Sequence, residues 1–178
     1  MRHFVVLCIS LAVLVGCSTF AGHRYSISAD NVTALRNLKG HKINVGPFSS
    51  SKPNLRVIVC RAFGPIKTPD GETFEYYIRK ALIDELKMAS VYSPNSRVTL
   101  TGHLNNIDLT SFGSGGWDIS LTIKSSNGKI VTVEEHYVFT TSFIGETACD
   151  QTAQALMPAV QNLLGKLVHS PLFLTLLD

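Results

Sequence analysis

Residues 97–141 read RVTLTGHLNNIDLTSFGSGGWDISLTIKSSNGKIVTVEEHYVFTT, and their alternation decides the fold. From Arg97 to Thr110, Val98, Leu100, Gly102 and Leu104 alternate with Thr99, Thr101, His103 and Asn105. Further on, Trp117, Ile119, Leu121 and Ile123 alternate with Asp118, Ser120, Thr122 and Lys124. A period of two puts each set on its own face of a strand, apolar in and polar out. Gly113-Ser114-Gly115-Gly116 permits a loose reversal between these strands. Asn127-Gly128 favours a type I′ turn into a third strand running from Ile130 to Thr141. The stretch is an antiparallel meander with one face that must be covered.

The cover is found on both sides of it. Phe74, Ile78, Ala81, Leu82, Leu86 and Ala89 recur at helical spacing, with Glu75 one turn before Arg79. Glu146 to Val168 forms a second long helix with the stripe Leu156, Val160, Leu163 and Leu167. Pro158 inside it predicts a kink or a break into two helices. Ser28 or Asp30 can cap a short helix running to Leu38 and stopped by Gly40. His41 to Phe48 alternates as a strand, and Pro47 places it at an edge or ends it there. Leu55 to Phe63 reads as another strand, whose run Val57-Ile58-Val59-Cys60 suggests burial on both faces. Gly64 to Gly71, with Pro65, Pro69 and an Asp-Gly pair, reads as a loop. The expected fold is α+β: a mostly antiparallel sheet of about five strands with two main helices packed on one face.

The amino terminus states where the domain is held. Arg2 and His3 precede an apolar run from Phe4 to Val15, interrupted only by Ser10. The run has the length of an export-signal core and is too short to span a bilayer. Leu14-Val15-Gly16-Cys17 then resembles the bacterial lipobox, which implies cleavage after Gly16 and a diacylglycerol thioether on Cys17. With an added amide-linked palmitate-type chain, several acyl chains at about 0.8 kcal/mol per CH₂ make the anchoring stable. Ser18 in place of Asp favours the outer membrane, with the domain facing the periplasm. The expected organisation is a signal peptide at 1–16, a lipidated tether at 17–26, and one α+β domain at 27–178.

Composition narrows the partners. Lys and Arg number 16 against 13 Asp and Glu, a formal charge of +3, which supplies no electrostatic footprint for nucleic acid. Cys8 leaves with the signal and Cys17 is taken by lipid. Cys60 and Cys149 remain, and in an oxidising periplasm they most simply pair with each other. Their spacing fits no C-x-x-C redox motif, and no histidine lies within a few residues of either to suggest a metal site.

The lipobox, the helix ending near Leu86, the meander with its Asn-Gly turn, and the closing helix with an apolar tail together resemble small Gram-negative lipoproteins of the YajG type. The resemblance covers most of the mature chain and implies no catalytic residues. Related α+β lipoproteins act as periplasmic partners of larger envelope machines, such as lipid-transport or polysaccharide-export assemblies.

The residues that suggest chemistry each have a simpler reading. His103 and His136 fall on strands facing solvent, near Glu134 and Glu135, but stand at no metal-binding spacing. Asp108 and Asp118 can meet across the hairpin, with no cleft to move their pKa values apart. The Gly113–Gly116 run lacks the residues of a phosphate loop or a nucleophile elbow. Tyr76, Tyr77 and Trp117 offer an aromatic surface for sugar or protein, or else pack in the core. Leu172, Phe173, Leu174, Leu176 and Leu177 make an apolar tail that docks on its own domain or forms a partner surface.

These features describe a non-enzymatic, outer-membrane-anchored lipoprotein that binds a protein partner in the envelope, with no cofactor or metal. A carrier of lipid or a small apolar ligand, using a groove between the Leu82/Leu86 face and the sheet, is the alternative. An envelope hydrolase, needing an acid–base pair in a cleft, is the remote one.

Overall fold

The computed structural model of the chain describes residues 19–38 and 40–178, so the expected signal peptide and Cys17 lie outside the described residues. In chain order the elements are β1 (Phe20–Ala21), α1 (Ala29–Arg36), β2 (Ile43–Ser50), β3 (Val57–Cys60), β4 (Gly64–Lys67), α2 (Phe74–Met88), β5 (Val98–Thr110), β6 (Ser114–Ser125), β7 (Ile130–Thr140), α3 (Gly145–Val168) and a 3-10 turn (Pro171–Leu176). Among the described residues, no helix is long and apolar enough to cross a membrane.

The meander forms as its alternation requires. β5, β6 and β7 pair antiparallel, and Trp117, Ile119, Leu121 and Ile123 are all buried on the inner face. α2 and α3 cover that face with the stripes read from their spacing: Phe74, Ile78, Ala81, Leu82 and Leu86 from α2, and Leu156, Val160, Leu163 and Leu167 from α3. The indole Nε1 of Trp117 donates to the Thr152 carbonyl at 2.8 Å, so the largest buried side chain carries no unpaired polar atom. Of the expected kink or break at Pro158, the break does not occur: α3 runs through it as one helix. The residue whose carbonyl Pro158 deprives of a donor is Gln154, which is exposed, so water can satisfy it.

The sheet differs from the expected mostly antiparallel one of about five strands. There are two sheets, both mixed: β2-β5-β6-β7 and a small β1-β4-β3. β2 joins β5 in parallel because the chain between them crosses over through α2. A bulge between Val45 and Phe48 absorbs Pro47 on this edge strand. β3 folds back on β4, within the stretch expected to be a loop. Pro65 is tolerated there because the ladder from β4 to β1 begins only at Ile66. As an edge strand, β3 buries only Cys60, and Val57 and Val59 are 44% and 68% exposed. A continuous apolar run had suggested burial on both faces.

Two turns also differ. The Asn-Gly turn closes with Gly128 N donating to Ser125 O and Ser125 N to Lys129 O, a three-residue loop in which only Gly128 takes positive φ (88°). That is a type I turn with a glycine bulge rather than type I′. It leaves the Asn127 side chain free to donate to the carbonyls of Thr175 and Asp178. Of the run 113–116, only Gly113 belongs to the turn (φ 63°), and β6 begins at Ser114.

The apolar tail docks on its own domain. Phe173, Leu176 and Leu177 are buried, and Ser125 Oγ donates to Leu176 O at 2.6 Å. Only Leu172 and Leu174 remain exposed, so the five residues do not form a free partner surface.

Cys60 and Cys149 form a disulfide across 89 residues, tying the small sheet to the start of α3. By the chain-entropy model a loop of that size contributes about 4 to 5 kcal/mol. Replacing both cysteines by Ala is expected to lower unfolding stability by about 2–5 kcal/mol in urea titrations, and the wild-type fold should bind no alkylating reagent at either sulfur without denaturant and reductant. For the tail, Phe173→Ala should cost about 3–5 kcal/mol, whereas Leu174→Ala should stay within about 0.5 kcal/mol. Equal effects from the two would refute self-docking.

Candidate functional site: an aromatic end built around the disulfide

Three loops meet at the end of the molecule where the disulfide lies: the β3–β4 tip (61–63), the β5–β6 turn (111–113) and the segment into α3 (141–144). The disulfide holds the first against α3. Arg61 sits at positive φ (50°), which aims its guanidinium across the other two loops. Its Nε donates to Ser111 Oγ at 3.1 Å, one terminal nitrogen donates to Ser111 O, and the other donates to Phe143 O at 3.5 Å. Its guanidinium carbon also lies 4.4 Å from the centre of the Phe112 ring. Thr141 Oγ1 donates to Gly113 O at 2.7 Å and closes the arrangement. Phe63 rests on the backbone of Gly145, where an added Cβ would fall 1.9 Å from the ring.

What these contacts hold outward is apolar. Phe143 is fully exposed, Ile144 and Phe112 are each 69% exposed, and Phe63 is half-exposed. Large apolar side chains from three separate loops, gathered at one end and braced by a disulfide and an arginine, make this the candidate interaction surface. Sequence reading did not find it, because each residue is an isolated aromatic in a different loop.

The segment leading into the domain is the second feature. The expected tether 17–26 is packed from Phe20 onward. Phe20 and Ala21 pair with Ile66 and Lys67, and Gly22 N donates to Lys67 O. The Tyr77 hydroxyl donates to His23 O, Tyr25 OH donates to Glu85 Oε1 at 2.5 Å, and Gln161 Nε2 donates to Ser26 O. Glu85 is completely buried, and the same oxygen also accepts from Ser28 N and Asn31 Nδ2. Burial, reinforced by Glu85, holds the Tyr25 phenol far above its ordinary value, and burial raises Tyr77 likewise. Both phenols therefore stay protonated donors at neutral pH.

The remaining sequence candidates are placed elsewhere. His103 is held between Ser49 Oγ (2.8 Å) and Ser51 Oγ (3.0 Å). Register puts it opposite Thr122 and Thr132, two strands and four residues from His136. Asp108 and Asp118 are register partners, as the hairpin suggested, yet they do not act as a pair. Asp118 contacts His136 Nδ1 at 2.5 Å, and Asp108 accepts from the Leu109 amide. The His136–Asp118 pair borders a shallow hollow of about 600 Å³ with Ser120, Glu134 and Lys166, and both partners are more than half exposed. Glu135 points inward, where Lys166 pairs with it at 2.8 Å. The expected Glu75–Arg79 pair gives way to Arg79 donating to the Val45 and Gly46 carbonyls at the β2 bulge. Trp117 and Tyr77 are core residues, so of the aromatic trio only Tyr76 reaches the surface. Leu82 and Leu86 are completely buried, which fills the groove a carrier would need. Among the described residues, no group of three His, Cys, Asp or Glu is placed to hold a metal ion.

Fold and site together define an α+β domain of two mixed sheets with a rigid aromatic end. Its fold is similar to the crystal structure of a Xanthomonas campestris protein described by the family model DUF330, at 10% identity over 85% of this chain and 95% of that one, with a TM-score of 0.52. A second solved structure, of an uncharacterised protein, is similar at 9% identity over 84% of this chain and 99% of that one, with a TM-score of 0.46. No protein-family model matches the sequence, and no curated protein matches it.

If Arg61 organises this end, Arg61→Ala should lower stability by about 1–3 kcal/mol, the value of hydrogen bonds to a charged donor. Hydrogen exchange should rise in 111–113 and 141–144 and stay unchanged in the Asn127 turn. A uniform rise across the chain would refute the bracing role.

Proposed function

We propose that the protein is a lipid-anchored component of the bacterial envelope, held at the outer membrane through acylated Cys17. It works by binding a protein partner rather than by catalysis, as an accessory to a transport, secretion or envelope-assembly machine. The proposal includes kinship with lipoproteins of the YajG type, on the shared order of helix, three-strand meander and closing helix.

The observation that carries this reading is the packed entry segment. Residues 20–26 are fastened to the domain, so only the steps from Cys17 to Phe20 separate an acylated cysteine from a rigid body. Three extended residues reach roughly 11 Å at most. On so short a leash the domain meets only what is itself at the membrane, and the effective concentration of such a partner is high enough for modest contacts to suffice. Among the described residues no element covers the outer face of the four-stranded sheet, where Thr101, Ser120 and Thr132 lie, and this face is available to that partner.

Cys17→Ser is expected to abolish incorporation of a palmitate analogue and to release the protein from the membrane fraction. A photo-crosslinking residue at Ser120 or Thr132 should give an adduct with a membrane-associated protein in cells. Its yield should fall severalfold when a 20-residue Gly/Ser linker, with a span of about 25 Å, is inserted before Thr19. Undiminished lipid label in the Cys17 variant refutes the anchor. Absence of any adduct refutes partner binding through the sheet.

A further inference from the structure

We propose that the aromatic end, formed by Phe63, Phe112, Phe143 and Ile144, docks on the lipid surface that receives the acyl chains of Cys17 and sets the orientation of the domain there. The proposal rests on the reading of Cys17 as acylated.

Strand direction makes the argument. β1 runs parallel to β4, with Phe20 opposite Ile66. Read toward its amino end, β1 therefore points the way β4 leads back, toward Gly64 and the β3–β4 tip that carries Arg61 and Phe63. The acylated sulfur is confined to roughly 11 Å of chain beyond Phe20. That is no more than the thickness of a single helix with its side chains, too little for a folded domain between the anchor and this end. The occupant at that distance from the acyl chains is the bilayer itself.

Chemistry at this end agrees. Exposed phenylalanines and an isoleucine suit the boundary between headgroups and acyl chains, and their backbones are already fixed by the disulfide and by Arg61. Little ordering remains to be done on docking. Arg61 is committed to loop carbonyls and to Phe112, while Glu146 and Asp150 are exposed at the start of α3. One positive and two negative groups leave no positive charge in excess, so docking rests on apolar burial and gains nothing from anionic lipid.

The test uses the full-length lipidated protein in phosphatidylcholine vesicles whose acyl chains carry bromine. Phe143→Trp supplies a reporter at a fully exposed site, against the constant background of buried Trp117. The added emission should be quenched at least twofold, equally with and without phosphatidylglycerol. Adding Phe112→Ser and Ile144→Ser should cost only the Arg61–Phe112 ring contact, leave the protein folded at the assay temperature by circular dichroism, and cut the quenching by half or more. Protein that floats with the vesicles while the introduced indole stays unquenched overturns the proposal. So does an indole shielded only in native membranes, which would identify a protein as the occupant. Failure to float overturns the anchor on which the proposal stands, and is distinguished from the other failures by the flotation itself.

Discussion

The inner face of the four-stranded sheet has to be kept from water, and the rest of the molecule is arranged around that need. Leu100, Leu104, Trp117, Leu121 and Ile123 are 0–1% exposed there. Each such side chain stabilises the fold by about 1.5–3 kcal/mol when withdrawn from water. A four-stranded layer cannot cover itself, so α2 and α3 are recruited from either side of the meander, and the 3-10 turn closes the end that the Asn127 loop leaves open. The parallel placement of β2 follows from the same demand: a chain that crosses the inner face as α2 must return alongside the strand it left.

The small sheet answers a different need. Its three strands have little apolar surface facing inward, with Cys60, Ile66 and Phe20 as the buried members. Such a sheet is marginal alone. It is held by a covalent bond to α3 and by the entry segment, whose Tyr25, Ser28 and Asn31 converge on buried Glu85. All three donate to one oxygen of Glu85, Oε1, and losing any of them removes a hydrogen bond from a fully buried carboxyl group. The entry segment is consequently packed as part of the domain from Phe20 onward.

Both the rigidity of the aromatic end and its exposure come from this arrangement. The disulfide that secures the small sheet also pins the loop bearing Phe63, and Arg61 extends the hold to the two neighbouring loops. Phe63 lies against the backbone of Gly145, which leaves no space for it to pack further inward.

The meander, both long helices and the cysteine pairing were legible in the sequence, because alternation, helical spacing and compartment chemistry are local or compositional signals. The resemblance of Leu14–Cys17 to a lipobox is equally read from the primary chain. Strand partners were not legible: Val57 to Cys60 reads the same whether buried in a sheet centre or lying at an edge, and only the ladder with β4 decides it. Asn127 shows why turns are ambiguous, since its side chain is spent on the carboxyl-terminal carbonyls and its backbone takes the three-residue loop that permits this. Phe63, Phe112 and Phe143 carry no sequence signal as a group, for they are far apart along the chain and are brought together by a disulfide and one arginine. Local pattern determined which segments would be strands and helices. Long-range pairing alone decided which apolar residues would face the solvent, because exposure is a property of neighbours that the chain brings back from elsewhere.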